Sequence, residues 1–343
     1  MGPEAFDYSL PPSQIAQEPA ERRGDARMLV LVGPSPPTHA RARALPEHLP
    51  RDALVVLNES RVVPARVLLR RDDEREFELL VCDPRPNCGI GSRYRAWVRG
   101  AKRLREGDRL SVDGFVCRFC GEDSIDPRAR IFEIEAGELM EALSRVGQVP
   151  LPPYIPRPTA PSAADRERYQ TLYARLPGSV AAPTAGLHWE PDVLARLDRV
   201  ALTLHVGPGT FLPMEAKDVR EHRVGAERIC LDEAAATRIR LAQRQGRPIV
   251  AIGTTVTRAL EAIAQRFGEI APFEGTTDLV ITPGHVFRAV DLLITNFHLP
   301  RSSLLMLVSA FGGHERVMAG YQTAVDAGYR FYSYGDCMLL DRG

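Results

Sequence analysis

Several features that would define a protein class are missing from this sequence of 343 residues. No apolar run approaches the roughly 20 residues that a membrane-spanning helix needs. Residues 1–13 lack the basic stretch and the apolar core of a secretory signal peptide. With 44% hydrophobic and 26% charged residues, the chain has the composition of an ordinary globular protein. We therefore expect a cytoplasmic protein with one large domain or two domains of unequal size.

An excess of positive charge is also missing, because 44 basic residues balance 44 acidic ones. A zero net charge excludes a general basic coat for nucleic acid, although it leaves room for a local patch. Lysine is nearly absent, with only Lys102 and Lys217 among the basic residues. The high share of arginine follows either from a genome rich in G and C or from phosphate contacts, to which guanidinium groups are well suited.

The six cysteines are few and widely spaced, so they do not indicate the disulfide framework of a small secreted protein. Cys117 and Cys120 form a CxxC pair, and Cys82 with Cys88 could complete a set of four thiolate ligands for zinc. The pair Cys82 and Cys88 is spaced too widely for a usual zinc knuckle, and all four residues lie in strand-like sequence. We therefore expect scattered thiols and no metal site.

The pattern of turns and apolar segments changes twice along the chain. Between residues 64 and 149, short strand-like segments alternate with turn residues, which predicts a small antiparallel barrel. From residue 150 onward, strands alternate with helices, which indicates substantial parallel pairing. The predicted fold class is α/β: a larger α/β domain (1–63 and 150–343) with an inserted small antiparallel β-barrel domain (64–149).

Individual elements can be placed by periodicity and by the signals at their ends. Asp232 is suited to cap a helix that runs to Gln245, with Gly246 in the C-terminal stop position. Other helices are predicted at 136–146, 190–199, 254–267 and from 304 onward, a polar turn at 58–61, and strands at 53–57, 77–81, 94–98, 109–112, 116–119, 130–134, 200–206, 248–252, 279–282 and 292–295. The proline-dense segment 150–156 must be extended, as a linker or as a rigid loop that lines a cleft.

One loop after a predicted strand places glycine beside a histidine. His205 precedes Gly207, Gly209 and Thr210, and the two glycines allow a ligand to approach the backbone closely. A histidine at the end of a strand is either a structural residue or a base. Such loops are where open α/β sheets bind ligands, beyond the carboxyl ends of their strands.

A second loop, Gly253-Thr254-Thr255, begins a helix with free backbone N–H groups and hydroxyls. This arrangement suits a carboxylate or a phosphate, unless the threonines only cap the helix. Three further polar loops lie at 181–189, 293–303 and 332–336. No P-loop, GxGxxG, HExxH or GxSxG motif is present, which counts against the common nucleotide-binding, zinc-protease and serine-hydrolase classes.

A family resemblance rests on an ordered series of segments that spans the chain: 6–11, 15–17, 62–66, 150–155, 165–170, 181–188, 204–211, 253–258, 295–300, 304–311 and 329–340. Together they resemble the S-adenosylmethionine:tRNA ribosyltransferase-isomerase family of queuosine biosynthesis. The resemblance implies transfer and isomerisation of the ribosyl group of S-adenosylmethionine onto 7-aminomethyl-7-deazaguanine at the wobble position of tRNA. The implied products are epoxyqueuosine-tRNA, adenine and methionine. Because S-adenosylmethionine is consumed as a substrate, no cofactor is expected.

The implied reaction needs proton transfers, since the sulfonium acidifies the ribose 5′ carbon and the departing adenine needs a proton donor. The candidates for proton transfer are His205 and His298, with the carboxylates Glu227 and Asp336 as alternatives. The candidates for substrate binding are Asn58, Arg61, Thr184, Gly186, His188, Gly207, Gly209, Thr210, Gly253, Thr254, Thr255, Arg258 and Asn296. Among these, Asn58, Arg61 and the helix start at 253–255 are assigned to ribose hydroxyls or to the methionine carboxylate.

Contacts to tRNA are expected from basic residues on and beside the predicted barrel, namely Arg99, Lys102 and Arg103, with Arg93, Arg95 and Arg105 nearby. Phosphate contacts from such a patch would make binding strongly dependent on salt. The alternative is an ordinary solvated basic face. The expected partners are thus S-adenosylmethionine and tRNA, with no membrane, and the expected state is a monomer.

The chain departs from the family's usual sequence at three places. Residues 222–227 are His-Arg-Val-Gly-Ala-Glu where the family has His-x-Met-His-Ser-Glu, so a histidine and a serine are absent. Residues 100–103 begin Gly-Ala in place of Pro-Ser, and Pro208 replaces Ala or Leu between two glycines. Two alternatives follow: a diverged paralogue that transfers the ribosyl group to another amine, and an inactive relative that only binds tRNA.

Overall fold

The computed structural model describes residues 2–157, 160–211 and 224–343. Its α-helices are α1 (Leu45–His48), α2 (Leu139–Val146), α3 (Ala163–Arg168), α4 (Pro191–Ala195), α5 (Glu233–Arg244), α6 (Thr254–Phe267), α7 (Ser303–Gly312) and α8 (His314–Asp326). Its strands are β1 (Arg27–Leu31), β2 (Thr38–Arg41), β3 (Leu54–Asn58), β4 (Ser60–Val62), β5 (Arg66–Arg71), β6 (Glu76–Val81), β7 (Arg93–Val98), β8 (Arg109–Val112), β9 (Phe115–Glu122), β10 (Ala129–Ala136), β11 (Leu176–Ser179), β12 (Arg199–Leu204), β13 (Glu227–Leu231), β14 (Ile249–Ile252), β15 (Phe273–Thr277), β16 (Leu292–Asn296) and β17 (Cys337–Asp341). Short 3-10 helices include Thr184–His188 and Pro208–Phe211.

The largest sheet formed by the described residues has the strand order β15-β13-β12-β3-β14-β16-β17-β1-β2. The four neighbours β12, β3, β14 and β16 are parallel, so their carboxyl ends meet at one edge. Strands β3, β14 and β16 are buried along their whole length, as expected for strands that are covered on both faces. This edge is where the candidate loops of the sequence come together.

Both faces of the sheet are covered, and the alternation of side chains along each strand supplies both cores. Val56 and Ala251 face a core that also contains buried residues of α5, α6, α7 and α8. Val55 and Ile252 face the opposite core, which includes Trp189 and residues of α4. The mixed α/β class predicted from the sequence is therefore confirmed, and the parallel centre of the sheet fixes the edge at which ligands are expected.

Residues of β5 to β10 form a second sheet, with the closed order β10-β7-β6-β5-β8-β9 and antiparallel pairing. Its interior is filled by alternate apolar side chains such as Leu69, Phe77 and Phe132, and α2 packs against it through Leu143. Strand β9 places Cys117 inside and leaves Cys120 partly exposed. Residues three apart on a strand point to opposite faces, so these two thiols do not face a common ligand.

The predicted elements differ from the structure most clearly at 279–282. The predicted strand there is wrong: these residues form a loop, and the strand lies earlier, at Phe273–Thr277. Ile281 is buried in the core although its backbone is irregular, which explains the misleading apolar pattern. The helix predicted at 190–199 ends at Ala195, and the turn predicted at 58–61 is interrupted because β4 begins at Ser60.

Helix α6 has the predicted bounds, and α5 is capped as predicted by Asp232, whose side chain accepts from the N–H of Ala235 at 2.7 Å. The helix predicted at 136–146 begins three residues late, at Leu139. Among the residues that the structure describes, no helix has the length and hydropathy needed to cross a membrane.

Candidate active site

An open cleft of about 280 Å³ lies at the carboxyl ends of β14 and β16, close in size to the smallest ligand pockets of roughly 300 Å³. It is lined by the backbone after these strands, by the start of α7 and by two loops distant in sequence. The lining residues are Pro153, Tyr154, Tyr169, Ala181, Ala182, Pro183, Thr184, Ala185, Val206, Thr210, Gly253, Thr254, Thr255, Arg258, Thr295, Asn296, His298, Leu299, Pro300, Arg301, Ser302, Ser303, Leu304, Tyr332 and Ser333.

Helix α6 points its N-terminus at this cleft. Gly253 connects β14 to the helix with φ +97°, a conformation that L side chains rarely adopt. Its N–H donates to the carbonyl of Ile294 at 2.7 Å, which holds the turn against β16. No side chain among the described residues caps the helix, and the N–H groups of Thr254 and Thr255 lie in the first turn, where intrahelical acceptors are lacking. The sequence prediction of a helix start that offers free donors thus describes this end of the cleft.

Arg258 lies one turn into α6 and is almost entirely buried. Its Nε donates to the carbonyl of Leu279 at 2.9 Å, and its Nη1 forms an ion pair with Glu227. The other carboxylate oxygen of Glu227 accepts the N–H of Gly207 at 3.0 Å. Both oxygens of Glu227 are therefore engaged, and the carboxylate links α6 to the glycine-containing loop after β12.

His298 is the candidate proton-transfer residue that lines the cleft. Its Nε2 lies 2.9 Å from the hydroxyl of Thr295, and its backbone N–H donates to the hydroxyl of Tyr321 at 3.1 Å. Burial lowers the pKa of His298 to about 3, because a charged imidazolium loses its hydration there. The ring is thus neutral near neutral pH, the form that is able to accept a proton.

Asn296 forms the floor of the cleft and fixes the loop behind it. Its amide nitrogen donates to the carbonyls of Tyr332 and Ser333, at 2.9 and 3.3 Å. The amide oxygen consequently faces His188, whose Nε2 lies 3.2 Å away and must donate. His188 is buried behind Asn296, and burial lowers its pKa to about 4. It supports the floor and is not among the lining residues.

Three tyrosines, which we call the tyrosine wall, also line the cleft. They are Tyr154, Tyr169 and Tyr332, and the rings of Tyr154 and Tyr332 meet edge to face with centroids 3.7 Å apart. The hydroxyl of Tyr154 is hydrogen-bonded to that of Ser333. Sequence reasoning did not single out these tyrosines. The available signals were the rigid loop predicted at 150–156 and the polar loop at 332–336, which the fold brings together.

Several predicted residues at this edge are held within the protein and do not line the cleft. Asn58 is fully buried: its amide nitrogen donates to the carbonyl of Leu204 at 2.9 Å, and its oxygen accepts the N–H groups of Ser60 and Leu204. Asp336 accepts the backbone N–H groups of Arg27 and Arg330, both at 2.8 Å. These side chains join strand ends to their neighbours.

Gly186, Gly207, Gly209 and Arg61 also lie outside the cleft lining. Gly186 is buried, and a Cβ there would overlap the hydroxyl of Tyr173. Gly207 contacts Glu227 through its N–H, whereas Gly209 is exposed, and no described residue lies within 4 Å of a Cβ placed there. Arg61 is exposed on β4.

His205 faces the second sheet instead of the cleft. Its Nδ1 is buried and has no hydrogen-bond partner among the described residues. Burial and the nearby Arg228 lower its pKa to about 4. Arg228 in turn donates to Asp83 at 2.8 Å and to the carbonyl of Pro84, in the loop after β6. His205 thus lies at the junction of the two sheets.

The loop between β7 and β8 carries the predicted tRNA-binding residues. Arg99, Lys102 and Arg103 are exposed, and the described residues offer their side chains no carboxylate partner. The neighbouring Arg93 and Arg95, by contrast, pair with Glu133 and Asp123. The basic loop, as we call residues 99–105, is therefore the part of this sheet whose cationic groups remain free.

Among the described residues, no cluster of three or more histidine, cysteine or acidic side chains could hold a metal ion. The six cysteines are all free. Within the segment 222–227, His222 and Arg223 lie outside the described residues. Gly225 and Ala226, which stand where the family has histidine and serine, are exposed, and Glu227 makes the contacts given above.

The fold and the cleft are typical of α/β proteins that bind small molecules beyond the carboxyl ends of parallel strands. A family model described as queuosine biosynthesis protein matches residues 3–340. The chain belongs to this family.

Individual relatives agree over nearly their whole length. The S-adenosylmethionine:tRNA ribosyltransferase-isomerase of Anaeromyxobacter dehalogenans is 49% identical, with 98% of each chain covered. That of Thermus thermophilus is 44% identical, with 99% of each chain covered. A crystal structure of S-adenosylmethionine tRNA ribosyltransferase from Thermotoga maritima has 31% identity and a TM-score of 0.54, and covers 98% of this chain and 99% of that chain. The family resemblance drawn from the ordered motifs is confirmed.

Proposed function

We propose that this protein transfers and isomerises the ribosyl group of S-adenosylmethionine onto 7-aminomethyl-7-deazaguanine at the wobble position of tRNA. The products are epoxyqueuosine-tRNA, adenine and methionine, so the protein acts in queuosine biosynthesis. The observation that carries this proposal is the near full-length identity of 44–49% to relatives named for this activity. Membership of the same family and a cleft at the expected sheet edge support it.

Within the cleft, the start of α6 and the tyrosine wall are proposed to hold opposite ends of S-adenosylmethionine. The free N–H groups of Thr254 and Thr255 suit an anion, and aromatic rings suit a purine base or a sulfonium. Thr184, Thr210 and Asn296 also line the cleft and carry further polar atoms. No cofactor is proposed, because S-adenosylmethionine is itself a substrate.

Proton transfer is best supported for His298. It lines the cleft in its neutral form, and Nδ1 has no partner among the described residues. His205 lies at the junction of the sheets, and the carboxylates of Glu227 and Asp336 are engaged in ion pairing and backbone hydrogen bonds. These three residues stay candidates that need substrate-induced rearrangement to reach the reacting atoms.

The proposal also assigns roles to the two sheets. Residues 64–149 form an inserted β-barrel domain whose basic loop contacts tRNA phosphates, and residues 1–63 with 150–343 form the catalytic α/β domain. The protein works as a monomer in the cytoplasm, where its tRNA substrate is found. The free cationic groups of Arg99, Lys102 and Arg103 support the first assignment.

One experiment tests the function directly. The protein is incubated with S-adenosylmethionine and tRNA carrying the 7-aminomethyl-7-deazaguanine base, and adenine, methionine and the new nucleoside are quantified. We expect equimolar adenine and modified nucleoside, and none with tRNA that lacks this base. Adenine release that does not depend on this tRNA would favour a paralogue with another acceptor. Folded protein that binds tRNA without releasing adenine would indicate an inactive relative.

A further inference from the structure

Backbone donors and a guanidinium lie on one face of α6. Thr254 and Arg258 are four residues apart, so they share a helix face, and both line the cleft. Helical side chains lean towards the N-terminus of their helix. Arg258 is thereby directed towards the first turn, whose N–H groups have no intrahelical acceptors.

The guanidinium of Arg258 is fixed by protein partners at two of its three nitrogens. Nε donates to Leu279 and Nη1 pairs with Glu227. Nη2 is buried and has no acceptor among the described residues, in a side chain that is only 8% exposed. A buried donor without an acceptor is costly, and one kept beside a ligand cleft indicates an acceptor that the ligand supplies.

We propose that Arg258 and the first turn of α6 bind the α-carboxylate of S-adenosylmethionine, and that Arg258 makes the enzyme specific for a donor that carries this group. The inference rests on the proposed function. Nη2 of Arg258 and the N–H groups of the first turn are hydrogen-bond donors, so they need an acceptor from the ligand. The ammonium group of S-adenosylmethionine is only a donor and its sulfonium is cationic, so neither is suited to this position. A carboxylate accepts from a guanidinium and from helix N–H groups at once, and both bonds are charge-assisted.

Glu227 is a positioning residue in this arrangement. One of its oxygens fixes Nη1 of Arg258, which turns Nη2 away from the ion pair, and the other accepts the N–H of Gly207. The same carboxylate therefore sets the guanidinium and the loop that carries Thr210. Glu227→Gln should raise the KM for S-adenosylmethionine more than it lowers kcat, whereas loss of a general base would lower kcat by at least about 100-fold.

The test compares S-adenosylmethionine with decarboxylated S-adenosylmethionine, which lacks only the carboxylate. With precursor tRNA present, adenine release gives the KM of the former and the inhibition constant of the latter as a competitor. We expect the wild-type protein to prefer the carboxylated compound by about 10- to 100-fold, the effect of a hydrogen bond between charged groups. In Arg258→Lys, the KM for S-adenosylmethionine should rise towards the inhibition constant of the decarboxylated compound. That inhibition constant should change by less than about threefold relative to the wild type.

Controls separate this inference from folding and from the proposed function. Arg316→Lys is a matched control, because Arg316 pairs with Asp341 at 2.6 Å outside the cleft; its preference should equal that of the wild type. If Arg258→Lys does not fold, Glu227→Gln/Arg258→Gln removes both charges together and gives the same comparison.

Two results would overturn the inference: a wild-type protein that does not prefer S-adenosylmethionine over the decarboxylated compound, or an Arg258 variant that keeps this preference. Either leaves the proposed function standing, provided that the wild-type protein releases adenine. If the wild-type protein releases none, calorimetric binding of the two compounds to the protein–tRNA complex still measures the preference.

Discussion

The cleft and the basic loop are built on opposite electrostatic principles. In the cleft, polar side chains such as Arg258 and His298 are buried and held by protein partners, and few donors remain free. In the basic loop, Arg99, Lys102 and Arg103 are exposed and free of carboxylate partners within the described residues. The first arrangement suits one small molecule in one orientation, and the second suits a flexible chain of phosphates.

This difference predicts separate experimental signatures. Interactions between buried groups are weakly screened by salt, whereas exposed charges are strongly screened. Substitutions in the cleft should change the kinetics of S-adenosylmethionine at any ionic strength. Substitutions in the basic loop should change tRNA affinity and its dependence on salt.

The largest effect is expected from His298→Ala. If His298 transfers a proton during ribosyl transfer, kcat for adenine release should fall by about 10²- to 10⁴-fold. Because burial holds the pKa of His298 near 3, the wild-type profile above pH 5 should show no titration of this group. The measurement is single-turnover adenine release between pH 5 and 9, at low and moderate salt.

His39→Ala is the control for that substitution, because His39 lies exposed on β2, away from the cleft. It should behave as the wild type. The same assay on His205→Ala decides between the two candidate histidines. Near-normal turnover of His298→Ala together with a large loss in His205→Ala would move the chemistry towards the junction of the two sheets.

The next largest effect is expected from the basic loop. Replacing Arg99, Lys102 and Arg103 together by glutamine should weaken tRNA binding on the order of tenfold or more at low salt. The slope of log affinity against log salt should fall by up to about three, roughly one for each lost phosphate contact. The KM for S-adenosylmethionine should not change. Filter binding of precursor tRNA at several salt concentrations measures both quantities.

A matched set of three arginines tests whether position or total charge matters. Arg70, Arg93 and Arg109 lie on the same sheet, but each pairs with a glutamate. Their joint replacement by glutamine removes the same formal charge and should leave the salt slope within experimental error. Equal effects of the two triple variants would show that tRNA senses only net charge.

The sequence was informative where the signals are local. Helix α6 has its predicted bounds, and the structure shows why they are sharp: Gly253 and Gly268, both with positive φ, flank its two ends. The strand Phe273–Thr277 was missed because Gly275 and its polar neighbours have no apolar alternation, and its pairing with β13 is a long-range contact. The apolar residues of 279–282 gave the opposite error, since Ile281 reaches the core from a loop.

The same distinction holds for the site. The loops at 253–255 and 295–298 were predicted because strand ends in an α/β sheet converge, and both line the cleft. The contact of Tyr154 with Tyr332 joins segments 178 positions apart, which no local pattern encodes. Asn58 was predicted to bind substrate and Asp336 to transfer a proton. In the structure Asn58 bonds backbone groups and the hydroxyl of Thr255, and Asp336 accepts backbone N–H groups.

Gly186→Ala tests where the cleft region ends. Gly186 was predicted to bind substrate, but it lies behind the lining, where a Cβ would overlap the hydroxyl of Tyr173. Overpacking of this kind should lower the free energy of unfolding by about 1–3 kcal/mol and leave the KM nearly unchanged. Urea unfolding and steady-state kinetics measure the two effects. The control is Gly89→Ala, at a site where an added Cβ meets no described atom within 4 Å. If Gly186→Ala instead raised the KM for S-adenosylmethionine and kept the stability of the wild type, Gly186 would belong to the binding site.

The smallest effect concerns His188, which supports the cleft floor from behind. Its folded-state pKa of about 4 lies below the unfolded value of about 6.5, so the unfolded chain binds the proton first. The contribution of neutral, buried His188 to the free energy of unfolding is therefore fully present above about pH 6.5 and is lost as the pH falls towards 4. One such group changes the free energy of unfolding by at most about 1.4 kcal/mol per pH unit.

His188→Gln keeps a side chain that can donate to Asn296 but cannot titrate. Its free energy of unfolding should therefore fall less steeply than that of the wild type between pH 6.5 and 5. Urea unfolding at half-unit pH steps measures the slope, and the KM at pH 7.5 should stay close to that of the wild type. An unchanged slope with a raised KM would mean that His188 contacts substrate, and the boundary of the cleft would then have to include the residues behind Asn296.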